Sequence, residues 1–236
     1  VDAHKLCNLD AKGFAAQAKF HTRNFVGPSG IIYAGTKQGY AKKGDDSEYP
    51  GGYLITYDPR NDTARNLGMP YKKQGIADVV ADESRGLIYV VTCEEQHWML
   101  YDTATKKFTE LGPMLTPYAT TLMDAEGKAH ALTKDFQLAT YDPATKKVTQ
   151  RPIEIGNKTF TRESRSSIPT WNLDADGRTA WLILMNDAHL LSIDLSSKGK
   201  KVKGTNHGLM LKGEKPDSRS ALTIAPDGRI YTLISV

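Results

Sequence analysis

Long apolar runs are missing from this chain. No window approaches the roughly 18 consecutive apolar residues that a membrane-spanning helix needs, and residues 1–10 lack the basic and apolar regions of a secretory signal. No membrane insertion is expected, and any targeting peptide was removed or never present. Cysteine is scarce as well. Cys7 and Cys93 allow one disulfide or two thiols, and the absence of CxxC, CxxCH and Cys/His zinc spacings removes the usual redox, haem and zinc-finger signatures. The charge balance is also modest, at +4 over 236 residues, which by itself speaks to solubility rather than to an anionic partner. What is present, 39% hydrophobic and 25% charged residues, is the composition of a globular protein with a buried core.

Short β-rich runs bounded by turn residues recur in phase. Gly30-Ile-Ile-Tyr33, Gly86-Leu-Ile-Tyr89, Gly127-Lys-Ala-His130, Gly177-Arg-Thr-Ala180 and Gly228-Arg-Ile-Tyr231 are separated by 56, 41, 50 and 51 residues. A second series, Ile55-Thr-Tyr-Asp58, Met99-Leu-Tyr-Asp102, Ala139-Thr-Tyr-Asp142 and Leu191-Ser-Ile-Asp194, interleaves with the first at spacings of 44, 40 and 52. Periods of about 40 to 50 residues, each with four short strands, are the signature of propeller blades. Within one unit the alternation predicts strands A to D over Ile76–Ala81, Leu87–Thr92, His97–Asp102 and Phe108–Leu111. The glycine closing each A-to-B turn supplies positive φ, and the Asp opening each C-to-D turn bonds the backbone ahead of it.

Ile88-Tyr-Val-Val-Thr92 followed by Leu100-Tyr-Asp-Thr-Ala-Thr105 resembles the YVTN repeat and, more loosely, the lactonase-like and SMP-30-like propellers. The resemblance covers the blade repeats and implies an all-β fold, a β-propeller of four-stranded antiparallel blades. It brings no catalytic motif with it, because ligand sites vary freely among propellers.

Read this way, 1–236 is a single propeller domain or a propeller segment, with units at about 20–70, 71–114, 115–156, 165–212 and a partial one at 213–236. Lys5-Leu-Cys-Asn-Leu9, within 1–12, reads as a D strand that could close the ring. About five blades are visible, which fits an incomplete five-bladed ring or, preferred here, a piece of a longer six- to eight-bladed one. Two tryptophans in strand patterns, Trp98 and Trp181, read as core, and His130 as a packed histidine between blades.

Loop lengths differ between the two ends of the blades. The D-to-A and B-to-C connections are irregular and the opposite turns tight, so binding is expected at the irregular end. Residues nine places before each blade glycine include His21, Tyr118 and Arg219, and those seven places after it include Lys37, Cys93 and Lys134. Strand starts add His97 and His189, and the long loop before Trp171 adds Arg162 and Arg165. The ligand-binding candidates are therefore His97, His189, Lys134, Arg162, Arg165, Trp171 and Arg219; His21, Tyr118, Arg165 and Arg219 are the catalytic candidates. Weak oxygen donors for a metal such as calcium are Asn24, Asp78, Asn172, Asn186 and Asp187, while the acidic loop Gly44–Glu48 reads as solvated. The lysine surplus falls on the tight turns without interleaved aromatics, so no nucleic acid is expected.

Three classes of function remain. The first is an exported bacterial propeller, extracellular or periplasmic, that binds a carbohydrate or another polar molecule. The second is an enzyme on sugars, either a uronate lyase using Arg and a Tyr or His base or a metal-dependent lactonase. The third is a scaffold or surface-protein segment with a protein partner, with Tyr40, Tyr49 and Tyr71 as contact anchors.

Overall fold

The alternating runs build antiparallel meanders. The computed structural model describes residues 2–9, 19–20, 22–38, 48–161, 169–185, 189–211 and 217–235, which divide into two compact units, Val1–Gly112 and Pro113–Val236.

Unit 1 contains a short helix, α1 (Ala3–Leu6), and two sheets. The first holds β1 (Lys19–Phe20), β2 (Phe25–Val26), β3 (Ile32–Lys37), β4 (Leu54–Asp58) and β5 (Thr63–Gly68), with β1 and β2 both pairing β3. The second is the four-stranded meander β6 (Gly75–Asp82), β7 (Leu87–Cys93), β8 (Trp98–Asp102) and β9 (Lys107–Glu110). Its strands fall where the sequence places A to D. Leu54, Ile76, Val79, Ile88 and Val90 are almost fully buried in the shared core, each contributing about 1.5–3 kcal/mol by leaving water.

Lys5–Leu9 is not a strand. Asp2 caps α1 by accepting from the main-chain N–H groups of His4 and Lys5, a local bond that favours a helical turn over extension. The apolar positions are satisfied all the same, since Cys7 and Leu9 bury against Tyr53 and Ile55.

Unit 2 holds β10 (Leu122–Met123), β11 (Ala129–Leu132), β12 (Gln137–Asp142) and β13 (Lys147–Ile155), with the two-residue β14 (Lys158–Thr159) folded back on β13. β15 (Pro169–Leu173), β16 (Thr179–Leu184), β17 (His189–Asp194) and β18 (Val202–Leu209) form the next meander, and β19 (Asp217–Ile224) pairs β20 (Ile230–Ser235). One pairing was not expected from the repeat. The outer strands β13 and β18 run parallel, with Ile153 opposite Val202 and Ile155 opposite Gly204, joining two meanders into one nine-stranded sheet. Gly204 permits this approach, because a Cβ there would meet the Ser192 carbonyl at 2.9 Å and Ile155 Cγ1 at 3.0 Å.

The repeat also slips by one residue in β16. The main-chain bond closing the A-to-B turn runs from Asp124 to Lys128 in one blade but from Asp174 to Thr179 in the next. The longer turn puts Trp181, not Ala180, where His130 stands. Both rings then reach the first carboxylate of their own turn: His130 Nε2 lies 2.8 Å from Asp124 Oδ2, and Trp181 donates to Asp174 Oδ2 at 2.8 Å. Trp98 is fully buried, whereas Trp181 is half-buried.

Two glycines separate steric from conformational need. A Cβ on Gly52 would fall inside the Thr36 carbonyl oxygen, while Gly30 sits at φ +83° with open space around it. Gly52→Ala is therefore expected to cost about 3 kcal/mol or more through overpacking, and Gly30→Ala about 1 kcal/mol through backbone strain alone. Urea unfolding of the two variants checks this; equal losses would overturn the distinction.

Candidate functional site

Three connections of unit 1 converge beside the end of β3. They are the segment before β4 (residues 48–53), the link from β5 to β6 (residues 69–74) and the turn from β7 to β8 (residues 94–97). Main-chain bonds tie them together: Thr36 with Tyr53, Gly52 with Gln74 and Lys73 with Pro50. Glycines make the approach possible. A Cβ on Gly75 would lie 2.7 Å from Cys93 Sγ and 2.8 Å from Lys37 Cγ.

The β7–β8 turn is short, and Glu94 takes a left-handed conformation at φ +78° to close it. A long side chain held there costs of order 1–3 kcal/mol. Its carboxylate is bound on both oxygens: Oε2 accepts from Gly75 N at 2.9 Å and Oε1 pairs with the Lys37 ammonium. The neighbouring Glu95 N–H donates to Gln74 Oε1 at 2.8 Å.

Burial alone would pull the Lys37 amine down, but the hydrogen bond and charge of Glu94 carry it above the ordinary lysine value. Burial would likewise raise Glu94, and Lys37 with the Gly75 N–H holds it below. The Cys93 thiol is pushed up, first by burial and then by Glu94, against the opposing pull of Lys37. Burial also holds the Tyr49 phenol well above its ordinary range. At neutral pH the site thus presents a cation and an anion locked to each other, a neutral thiol and a neutral phenol. Cys93 is no thiolate nucleophile.

His97 belongs to this end but lies beneath its surface. Nδ1 is 2.7 Å from Glu110 Oε1 and Nε2 is 3.1 Å from Glu95 Oε2, and the ring stacks on Tyr71 at 3.9 Å. Buried and engaged on both nitrogens, it orients Glu95 and Tyr71 rather than presenting an open nitrogen.

The remaining candidates are dispersed. In unit 1, Asn24 is exposed and its Oδ1 accepts from Thr22, while Asp78 is fully buried with Arg23 Nε 3.5 Å away. In unit 2, Tyr118 is exposed at φ +54°, Lys134 is exposed in the β11–β12 turn, His189 is half-buried at the start of β17, and Arg219 lies along β19. Trp171 is a core residue and not a stacking platform, since it is buried and its indole N–H donates to Thr120 Oγ1 at 2.9 Å. Asn172 is spent on the Leu222 carbonyl, to which its Nδ2 donates at 2.7 Å. His21, Arg162, Arg165, Asn186, Asp187 and most of the acidic loop lie outside the described residues. Among the described residues, no group of three or more His, Cys, Asp or Glu side chains is placed to hold a metal ion.

A second cluster in unit 2 has the look of an activated nucleophile. Thr140 Oγ1 is 2.9 Å from His130 Nδ1, and His130 Nε2 reaches Asp124. The repeat decides its role. Trp181 makes the same reach to Asp174 and faces Ser192 across the strands as His130 faces Thr140. An indole cannot act as a base, so the shared geometry clamps the turn.

No protein-family model matches this chain, and no curated protein matches it. Solved structures do. The periplasmic gluconolactonase PpgL of Pseudomonas aeruginosa superposes with a TM-score of 0.60 at 14% identity, over 93% of this chain and 66% of that one. A fungal alcohol oxidase in complex with copper gives 0.61 at 12% identity, over 89% and 46%. Streptogramin B lyase gives 0.59 at 12% identity, over 89% and 60%. The fold is that of a β-propeller. The chain spans less than two thirds of the length of each of these propeller-like structures. No described helix is long and apolar enough to cross a membrane.

The buried Asp124–His130 pair makes a test of the clamp. Burial would raise Asp124, but the His130 hydrogen bond and the N–H groups of Lys128 and Glu126 hold it below its ordinary 3.8. A depressed carboxylate contributes stability that is complete above the unfolded value and is lost as pH falls through the native one. His130→Ala should cost about 3 kcal/mol at pH 7 and flatten the acid limb below about pH 4. Chemical denaturation at several pH values reads both; a loss under about 1 kcal/mol with an unchanged acid limb would remove the clamp.

Proposed function

We propose that the β3–β7 end of unit 1 binds a neutral, hydroxyl-rich small molecule of the carbohydrate class. The observation that carries this is the Lys37–Glu94 pair, fixed in place by the strained backbone at Glu94 and by a glycine-only approach at Gly75. Lys37 donates while Glu94 accepts, an alternation suited to sugar hydroxyls. Because Glu94 already neutralises Lys37, an anion gains little there. Such preformed polar groups lose little entropy on binding.

A second reading, an enzyme on sugar lactones, is favoured by the printed activity of the gluconolactonase among the similar structures. In it Glu94 activates the attacking water and Lys37 stabilises the developing oxyanion. Export to the periplasm accompanies either reading, supported by that protein's periplasmic origin, and cell fractionation tests it.

Thermal unfolding of the chain with glucose, galacturonate and glucono-1,5-lactone checks the site. A neutral sugar or the lactone should raise apparent stability, by about 2.7 kcal/mol at 100 times Kd, and Lys37→Met or Glu94→Gln should weaken binding at least about tenfold. Equal binding by both variants would overturn the assignment. Lactone hydrolysis that Glu94→Gln abolishes would make the site catalytic.

A further inference from the structure

Unit 2 carries a groove of about 860 Å3 at the end of the tight turns. Its walls come from the turn before β11, the turn between β12 and β13, Arg178 in the turn between β15 and β16, and the turn after β17, with side chains of β11, β12 and β13 between them. The acids in it are already committed. Asp124 serves His130 and two main-chain N–H groups; Asp142 accepts from the N–H groups of Ala144 and Thr145; and Glu126 pairs with Arg178 at 3.6 Å. The other cations are not balanced in this way. Among the described residues no ion pair engages Lys128, Lys147, Arg151 or Lys198. Arg151 is half-buried and held over the groove by a hydrogen bond to the Ser197 carbonyl.

Two lysines of the tight turns, Lys147 and Lys198, share this concavity with Lys128 and Arg151. The rest of the lining narrows the ligand. It adds Thr145 and Thr149, holds no phenylalanine, tyrosine or tryptophan, and has Leu195 as its one aliphatic side chain, while the His130 ring is buried between Asp124 and Thr140. The groove therefore offers no platform on which bases could stack, and little apolar surface for a hydrophobic ligand. Its volume also exceeds that of a single inorganic anion.

We propose that this groove binds an anionic oligosaccharide, with Lys128, Lys147, Arg151 and Lys198 meeting its carboxylate or sulfate groups and the exposed Thr145 and Thr149 meeting its ring hydroxyls. The site is separate from the neutral-sugar site of unit 1 and does not depend on it.

Fluorescence polarisation of the full chain, at low and at physiological salt, tests the proposal with four labelled probes: an oligogalacturonate hexamer, a heparin-derived hexasaccharide, maltohexaose and oligothymidylate. One of the two charged saccharides should bind, less tightly as salt rises, and which one does identifies carboxylate or sulfate as the charge read. The exposed double variant Lys147→Glu/Lys198→Glu, checked for folding by circular dichroism, should weaken that binding at least about tenfold. Lys107→Glu, a turn lysine outside the groove, and Lys37→Met should stay within about twofold of the parent. Parent-like binding by the double variant, an equal loss in Lys107→Glu, equal binding of maltohexaose, tighter binding of oligothymidylate, or no binding of either charged saccharide would each overturn it.

Discussion

Carboxylates that accept main-chain N–H groups hold the turns on which every meander depends. After the third strand of each blade, Asp58, Asp102, Asp142 and Asp194 accept from residues two places ahead. These bonds lie at the surface, where water screens part of their strength, but their geometry is local and repeated. They fix where one strand stops and the next starts, and so fix the register that keeps apolar side chains on the buried faces. Lys106 and Lys146 sit at φ +56° in two of these turns, where their own N–H groups donate to the Asp102 and Asp142 carbonyls at 2.8 Å.

Much of this was legible in the sequence because it rests on local chemistry. The Gly and Asp series marked the turns, and the strands of β6 to β9 followed from alternation. Two things were hidden. The helix at Ala3–Leu6 was masked by an alternation of apolar residues that also suits a strand, and only the capping bond of Asp2 decides between them. The parallel pairing of β13 with β18 is non-local, and no pattern within either strand announces it.

The site was legible only in part. Lys37, Cys93 and His97 were marked by their place after each blade glycine or at a strand start, whereas Glu94 and Gln74 were not and Tyr71 was marked only as an anchor for a protein partner. The signal that could have found them is the clustering of Gly51, Gly52 and Gly75 at strand ends, where small residues let backbones close in. Trp171 misled because a tryptophan after a long loop suits a platform as well as a core, and its burial against Thr120 is a tertiary fact. The two sites are chemically unlike: that of unit 1 holds a cation neutralised by its own neighbour, that of unit 2 cations whose nearby acids are spoken for.

The β13–β18 pairing bears on how unit 2 comes apart. Three rungs join the outer strands of successive blades, and Ile153 and Val202 beneath them are fully buried. Neither blade can shed its outer strand without exposing the other's core. The weakest point of an ordinary blade, its solvent-side edge, is here a seam at which two blades melt together, so slow amide exchange should extend outward to strands that would otherwise fray first.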